Sequence, residues 1–429
     1  MENISAIILA AGQGKRMRSE LPKVLHHVCG APLVLLALNA LKKAGIKKIV
    51  VVVGVGGDLV RKILPQDVEV VDQGTPLGTG HAVSCTRDLF SGFKGDLVVA
   101  CGDMPLVRPE TVRKLIKKHK KESASCTVLT GILDEPFGYG RIVRDKNNRV
   151  AEIREEKDST DDIKKIKEVN SGMYCFKSAD LFGVLPSLNQ KNNQKEFYLT
   201  DTLRLLLENG RTVSAYCAED SNEILGINSR KDIACANGVM NQWILDDHMA
   251  NGVTIVDPLT TYIDAKVKIG RDTVINPFTV IEGDVRIGAH CEVGPFSHLR
   301  DKTVLKDRAE IGNFVEVKKS TVGYHTKAKH LTYLGDTTIG KKVNIGAGTI
   351  TANYDGKAKY KTAIRDGVFI GSGTILVAPV TVGKGAITGA GSVVLKNRNV
   401  PAKAVVVGVP AKVIKEKNET SSFQHQTSK

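Results

Sequence analysis

From Ile263 onward the chain places an aliphatic residue at every sixth position: Ile263, Ile269, Ile275, Ile281, Ile287, Val293, Leu299, Leu305, Ile311 and Val317. For a chain that is 42% hydrophobic, ten such hits in one register have a chance probability on the order of 10⁻⁴. After a phase slip the step resumes at Ile339 and Ile345, then at Ile370, Leu376, Val382 and, through Thr388, Val394. A six-residue period matches neither the helical repeat nor the long strands of an open sheet. It matches a solenoid in which each short strand sends one aliphatic side chain inward before the chain turns a corner. Glycine follows the aliphatic position at Ile269-Gly270, Ile287-Gly288, Ile311-Gly312, Ile345-Gly346 and Ile370-Gly371, where it gives the corner the backbone freedom it needs. A sandwich of short strands would space its turns about 8–12 residues apart, so the strict six argues against it.

The rhythm breaks at Thr351–Thr362 (TANYDGKAKYKT), which offers no inward aliphatic residue and carries Lys357, Lys359 and Lys361. An insertion that leaves a rigid coil is where a solenoid displays binding groups. Taken alone, the stretch is equally well read as a solvated lysine-rich loop.

The first half has a different grammar. Residues 5–54 read as strand, glycine loop, helix and strand, and the alternation continues to about residue 225, which predicts an α/β domain with a parallel sheet. The loop GQGKRMRSELPK is not a dinucleotide fingerprint, for its third glycine is missing, nor a P-loop, for it has no Gly-Lys-Ser/Thr. Gly12 and Gly14 still let backbone N–H groups approach phosphates, and Lys15, Arg16 and Lys23 add positive charge. The apolar run LVVACGDMPLV ends in Gly102-Asp103. A carboxylate at the carboxyl end of a buried strand lies where open α/β sheets bind ligands. Asp103 could be a turn or cap residue, but behind a phosphate-cradling loop a Mg²⁺ ligand is the better expectation, since Mg²⁺ takes one or two protein oxygens plus phosphates. Val239, Met240, Trp243, Ile244 and Met249 recur near helical spacing, which predicts an amphipathic connecting helix over 229–252 with a structural role for Trp243.

A length of 429 residues exceeds one ordinary core, so two domains are expected. No apolar run is long enough to span a bilayer, and Ile4–Ala11, lacking a basic leader, reads as a buried strand rather than a secretory signal. Eight scattered cysteines without metal-ligand or redox spacing fit a reducing cytoplasm. The net charge of +15 is concentrated in residues 251–429, where 26 Lys and Arg face 15 Asp and Glu. With only 5% aromatic residues, this basic half lacks the stacking surface of a nucleic-acid binder, and small phosphorylated ligands or a plain soluble face account for it.

The motifs LAAGQGKRM, LPKVLH, PLGTGHA, CGDMPL, GYGRI, REEKDST, EVNSG, EFYLTD and LGINSR occur in order. GPFSHLR, GNFVEVKKS, AKHLTYLGD, NIGAGTITANYDGKAKYKT and VAPVTVGKGA follow them. Together they resemble the family of bifunctional N-acetylglucosamine-1-phosphate uridyltransferases / glucosamine-1-phosphate acetyltransferases along nearly the whole chain. The resemblance implies a Rossmann-like nucleotidyltransferase domain over 1–228, a helical linker over 229–252, and a left-handed parallel β-helix acetyltransferase domain over 253–411. Residues 412–429 would form a flexible basic tail. It also implies a cytoplasmic homotrimer that supplies a cell-wall or lipopolysaccharide precursor, with no nucleic-acid partner and no membrane span.

In the first site so implied, Leu9, Ala10, Ala11, Gly12, Gln73, Gly78 and Thr79 surround UTP, with Cys101, Gly102 and Asp103 beside them. Gly140, Glu155 and Asn170 would hold the acetamido sugar, Asp103 and Asn228 would bind Mg²⁺, and Arg16 and Lys23 would stabilise charge. The sugar phosphate is already a nucleophile at neutral pH, so positioning, metal and cations suffice for the chemistry. In the second site the amine of glucosamine 1-phosphate must lose a proton as it attacks the thioester of acetyl-CoA, a task suited to histidine. The resemblance assigns that role to His330, with Arg300, Lys318, Tyr333, Asn344 and Lys359 on the sugar phosphate. Ala347, Asn353, Tyr354, Ser372 and Ala390 would take acetyl-CoA in sites between subunits.

Three departures from the family pattern bear on this assignment. Pro76 stands where a glutamine is common, which bears on uracil selectivity; the stretch from Asn228 to Arg300 is shorter by about two coils; and Gly408-Val409-Pro410-Ala411 lacks an arginine that some relatives place against the cofactor. The competing expectations are a single-function sugar-1-phosphate nucleotidyltransferase whose β-helix only oligomerises or regulates, and a non-catalytic scaffold or polyanion binder that uses the basic half.

Overall fold

The computed structural model describes residues 3–12 and 14–416, and the chain forms two compact units, Met1–Met240 and Asn241–Lys429. In the first unit the main path of the sheet runs Val213–Cys217, Cys126–Ile132, Glu168–Lys177, Asp96–Cys101, Ile4–Ala10, Lys48–Val53, Glu69–Asp72. Its central strands are unbroken apolar runs because both faces are covered: Ile7, Ile8, Val50, Val51, Val98 and Val99 are all fully buried.

The sheet is mixed rather than wholly parallel, which corrects the expectation from the alternating pattern. Glu168–Lys177 runs antiparallel to both neighbours. The chain before it forms a hairpin, Arg141–Arg144 against Val150–Arg154, so the next strand returns without the long crossover that a parallel neighbour requires. The parallel register Leu9↔Cys101 and Leu9↔Val52 brings three strands to their carboxyl ends at one edge. That edge carries the glycine loop and Asp103 on adjacent strands.

The second unit is a stack of coils with parallel strands on three faces. Ile263 pairs Ile281, which pairs Leu299, each eighteen residues on, and a second face runs Ile269, Ile287, Leu305 in the same step. Their side chains and those of Ile275, Val293, Ile311 and Val317 form one continuous core. Ile269 is the exception in the repeat, being only half-buried. It begins its face and has a stacked strand on one side only. The phase slip is two successive coils each shortened by one residue: Leu305 pairs Val322 and Val322 pairs Ile339, each seventeen residues on. Thr388 occupies an inward position without penalty because its hydroxyl accepts from Gly371 N at 3.0 Å and meets Thr374 Oγ1 at 2.9 Å.

The break in the repeat is narrower than Thr351–Thr362. Thr351 remains in the stack opposite Leu376, and its hydroxyl accepts from Gly335 N at 2.8 Å. Thr362 has already returned to pair Val380. The excursion between them closes through an antiparallel bridge from Tyr354 to Lys359. At the other end, Lys412–Glu416, expected in a flexible tail, pair antiparallel with Ala404–Val407; the remainder of that tail, 417–429, lies outside the described residues. The connecting helix spans Arg230–Ala250. Its second half adds Leu245 to the β-helix core, with Ile244 and Met249 packed against it.

Glycines at the corners sit where coils touch backbone to backbone. A Cβ on Gly346 would lie 2.5 Å from the Ser372 nitrogen, which is backbone and cannot move aside. Gly346→Ala is therefore expected to cost about 1–3 kcal/mol by overpacking. The check is a lower Tm for the transition that carries the β-helix unit; an unchanged Tm would mean that the coils can separate freely.

Candidate functional sites

In the first unit a cleft of about 600 Å³ lies over the carboxyl edge of the sheet. Of the residues expected around a nucleotide, Leu9, Ala11, Gly12, Lys23, Gln73, Gly78, Thr79, Cys101 and Asp103 line it, as does Pro76. A second cavity of about 190 Å³ holds the residues expected around the sugar, Gly140, Glu155 and Asn170, together with Asn228. Leu9, Thr79, Cys101 and Asp103 line both cavities and form a wall that the two spaces share. Ala10, Arg16 and Gly102 line neither, and Arg16 faces solvent on the turn Lys15–Met17.

Local structure explains the placements. Gly78 enters the short helix Thr79–Ser84 at φ 110°, and a Cβ there would lie 2.7 Å from the Phe197 carbonyl oxygen. The loop can thus pack against the Phe197 backbone only with glycine at this point. Gln73, buried, donates to the Gly78 carbonyl at 2.9 Å, and Thr79 Oγ1 accepts from Leu199 N at 3.0 Å. The Asp103 carbonyl accepts from Ile227 N at 2.9 Å, which sets Asn228 beside it. Asp232 then accepts from both Asn228 N and Ser229 N at 2.8 Å, capping the helix that starts at Arg230. The Lys23 ammonium reaches between the two oxygens, pairing with Asp103 Oδ2 and donating to Asn228 Oδ1 at 3.2 Å.

In the smaller cavity, Asn170 N donates to the Gly140 carbonyl at 2.8 Å, and the Asn170 amide donates to the Tyr174 hydroxyl at 2.8 Å. Burial pushes the Glu155 carboxyl above its ordinary range, although the Thr200 hydroxyl donates to it at 3.0 Å. Burial also pushes the Cys101 thiol up to about 12, with the Asp103 charge adding to the effect, so this sulfur lines the site as a neutral group. Sequence reasoning did not assign Lys157, Gln194 and Glu196 of the larger cleft, nor Tyr139, Tyr174 and Thr200 of the smaller. Lys15, recognised only as loop charge, lines the larger cleft as well.

In the second unit His330 is exposed at a corner of the coil, in register with Asn313. It lines a cavity of about 230 Å³ with Glu292, Glu310 and Lys329, and Glu310 is ion-paired to both Lys327 and Lys329. The residue after it, Leu331, has φ 46°, and the same left-handed turn recurs down one corner at Phe278, Phe296 and Phe314. These phenylalanines are about half exposed and stack face to face, with ring centroids 4.8 and 5.1 Å apart. On the other side of Leu331 the corner continues through Gly348, Gly373 and Gly391, all at positive φ and bare of side chains. Ala347, Ser372 and Ala390 precede them in a matching column, with Gly373 N bonded to Ala347 O at 2.7 Å and Gly391 N to Ser372 O at 2.8 Å. A strip of glycines thus runs along the corner and begins one coil beyond Leu331, next to His330.

Arg300, Lys318, Tyr333 and Asn353 share the neighbouring face. Arg300 stacks through its backbone on Val317–Lys318, and Lys318 pairs Gly335, over which the Tyr333 hydroxyl lies beside the Asn353 amide. Arg300 is held by Glu316 at 2.8 Å, and burial pushes the Tyr333 hydroxyl above its usual range. Tyr354 and Lys359 stand on the excursion. That loop is pinned where Asp355, its carboxyl held down to about 2, accepts from the Ala358 and Lys357 amides and pairs with Lys396 at 3.3 Å. Asn344 is not with this group: it pairs Lys327 and Phe369 on a different face of the same coil.

Known proteins bear on both units. Residues 6–167 match the model of the MobA-like NTP transferase domain, and 266–301 and 361–396 match the bacterial transferase hexapeptide model. The chain is 47% identical to the bifunctional protein GlmU of Fervidobacterium nodosum, covering 96% of each chain. It is 46% identical to that of Pseudothermotoga lettingae, over 95% of this chain and 96% of the relative. With the GlmU protein of Geobacillus thermodenitrificans it shares 44% identity over 96% of each.

Proposed function

The chain belongs to the family of bifunctional GlmU proteins, and on that premise we propose how its residues divide the two reactions of a uridylyl- and acetyltransferase. The enzyme acetylates glucosamine 1-phosphate and then joins the product to UMP from UTP, giving UDP-N-acetylglucosamine and pyrophosphate. The observation that carries the division is the wall, Asp103 included, that a large and a small cavity share in one unit, and the strip of corner glycines that begins next to His330 in the other.

In the first unit the larger cleft takes UTP and the smaller takes N-acetylglucosamine 1-phosphate. The backbone at Ala11 and Gly12 and the cations Lys15 and Lys23 hold the phosphates. Gly140, Glu155 and Asn170 hold the acetamido sugar. The sugar phosphate oxygen bonds to the α-phosphorus as the bond to pyrophosphate breaks, and alignment across the shared wall is the chain's main contribution. A Mg²⁺ ion fits Asp103 and Asn228, whose side-chain oxygens converge on one cation, the Lys23 ammonium. Among the described residues no cluster of three or more His, Cys, Asp or Glu could hold a metal, which agrees with the preference of Mg²⁺ for few protein ligands plus phosphate. When bound, the ion would supply neutralisation of the charge that develops on the leaving phosphates.

In the second unit the strip of corner glycines takes the extended arm of acetyl-CoA, and Arg300, Lys318 and Tyr333 take the sugar phosphate. His330 removes the amine proton as nitrogen attacks the thioester carbonyl, the C–S bond breaks and CoA departs. Asn344 on a separate face, and the exposed phenylalanine column leading to His330, support a homotrimer whose sites are completed by a neighbouring copy. Among the described residues no helix is long and apolar enough to cross a membrane.

The test supplies glucosamine 1-phosphate, acetyl-CoA, UTP and Mg²⁺, and follows CoA and pyrophosphate separately. Pyrophosphate is expected to require acetyl-CoA with glucosamine 1-phosphate but not with N-acetylglucosamine 1-phosphate. Pyrophosphate formed from glucosamine 1-phosphate without acetyl-CoA would overturn the order of the two steps.

A further inference from the structure

We infer that Lys23 serves the first unit as a built-in placeholder cation: its ammonium occupies the metal position between Asp103 and Asn228, and a divalent ion binds by displacing it. This rests on the reading of those two residues as metal ligands. Lys23 and Asp103 are both largely buried, with side chains 13% and 19% exposed, so an unpaired Asp103 carboxylate would be costly there. The ammonium meets Asp103 Oδ2 and Asn228 Oδ1 together. These are side chains far apart in sequence, and their backbones are already tied by Ile227 N to Asp103 O and by the Asp232 cap. The ligand pair is therefore assembled without metal, and Lys23 neutralises it.

Two cations cannot share that position, because at such separation they repel strongly in a partly buried site. Lysine suits the exchange, being a compact point charge on a flexible four-carbon stem. Its stem is anchored where Gly14, at φ 61°, packs against Lys23 Cβ, so the head can move while the base stays. The displaced ammonium has a destination, since Lys23 and Lys15 both line the larger cleft where phosphates would lie. Phosphate binding draws the ammonium off Asp103 and opens the site to metal, which couples nucleotide and metal binding positively and reciprocally. Lys23 is thus a positioning residue as well as a phosphate contact.

The test is Mn²⁺ binding to the full-length protein without nucleotide, read by electron paramagnetic resonance. Lys23→Met is expected to bind Mn²⁺ at least about tenfold more tightly than wild type, since a competitor has been removed. Lys23→Gln keeps a hydrogen-bond donor toward Asp103 should the methionine variant fold poorly, and is expected to shift the same way. Equal or weaker Mn²⁺ binding by the folded variant overturns the exchange. Asp103→Asn on the Lys23 variant separates the two readings: it should abolish the gain, whereas unchanged Mn²⁺ binding would mean that Asp103 is not a metal ligand at all.

Discussion

His330→Ala is expected to lower acetyl-transfer kcat/KM by roughly 10²–10⁴-fold, the usual contribution of a positioned general base, while uridylyl transfer stays at its wild-type rate. The side chain is exposed at a corner of the coil, so truncation removes little packing and the fold should persist. The loss should lie in kcat more than in KM, because Arg300, Lys318 and Tyr333, to which we assign the sugar phosphate, sit on the adjoining face and are untouched by the substitution. Asp103→Ala should give the mirror image, abolishing pyrophosphate release and leaving CoA release intact, since Asp103 lines the wall shared by the two cavities of the first unit. Separate assays of CoA and pyrophosphate on each variant check both. Full acetyltransferase activity in His330→Ala would remove that residue from the role of base.

The second large effect concerns a residue that touches neither substrate. Arg141 is among the largest fully buried side chains, at 2% exposure, and pairs with Glu156 at 2.9 Å. Its guanidinium also donates to the carbonyls of Tyr139 and Lys164, and Glu156 accepts from Gly138 N at 3.2 Å. The arginine therefore ties the loop that carries Gly140 to the turn that follows Glu155, which flank two walls of the smaller cavity. Arg141→Met breaks a buried ion pair, leaving the Glu156 carboxylate without its cation and the two carbonyls without the guanidinium donor, at a cost of about 3–5 kcal/mol. Against the roughly 5–15 kcal/mol that stabilises a typical domain, that should lower the Tm of the first unit by many degrees. Where the variant still folds, KM for N-acetylglucosamine 1-phosphate should rise. Arg141→Lys should recover only part of the loss, because an ammonium cannot reproduce the planar fork. Calorimetry paired with the uridylyl assay decides this; a melting curve like that of wild type would show that the pair contributes nothing.

Much of both sites was legible in the residues. Gly12, Gly78, Asp103 and Asn228 belong to motifs whose residue types the chemistry dictates, and they converge as expected. Arg141 was invisible because it is one of 61 lysines and arginines, and only burial distinguishes it. Arg16 and Lys15 show the opposite limit: adjacent cations in one loop cannot be told apart until the turn Lys15–Met17 directs one toward the cleft and the other to solvent. Likewise, Asn344 belongs to the same motif run as Asn353, yet the corner between them puts the two on different faces.

The six-residue rhythm by itself determined that residues beyond Ile263 stack as coils, because an inward aliphatic at that period can be buried in no other regular way. It also located the excursion, since a stretch without an inward side chain cannot stay wholly in the stack. Tertiary structure alone decided the rest. Stacking in steps of eighteen, then seventeen, aligned Phe278, Phe296, Phe314 and Leu331 at one corner, and bare glycines beyond them, so that His330 lies where an aromatic column meets a strip of glycines. Which residues share a corner depends on the length of every coil between them, and that sum is settled only when the coils pack.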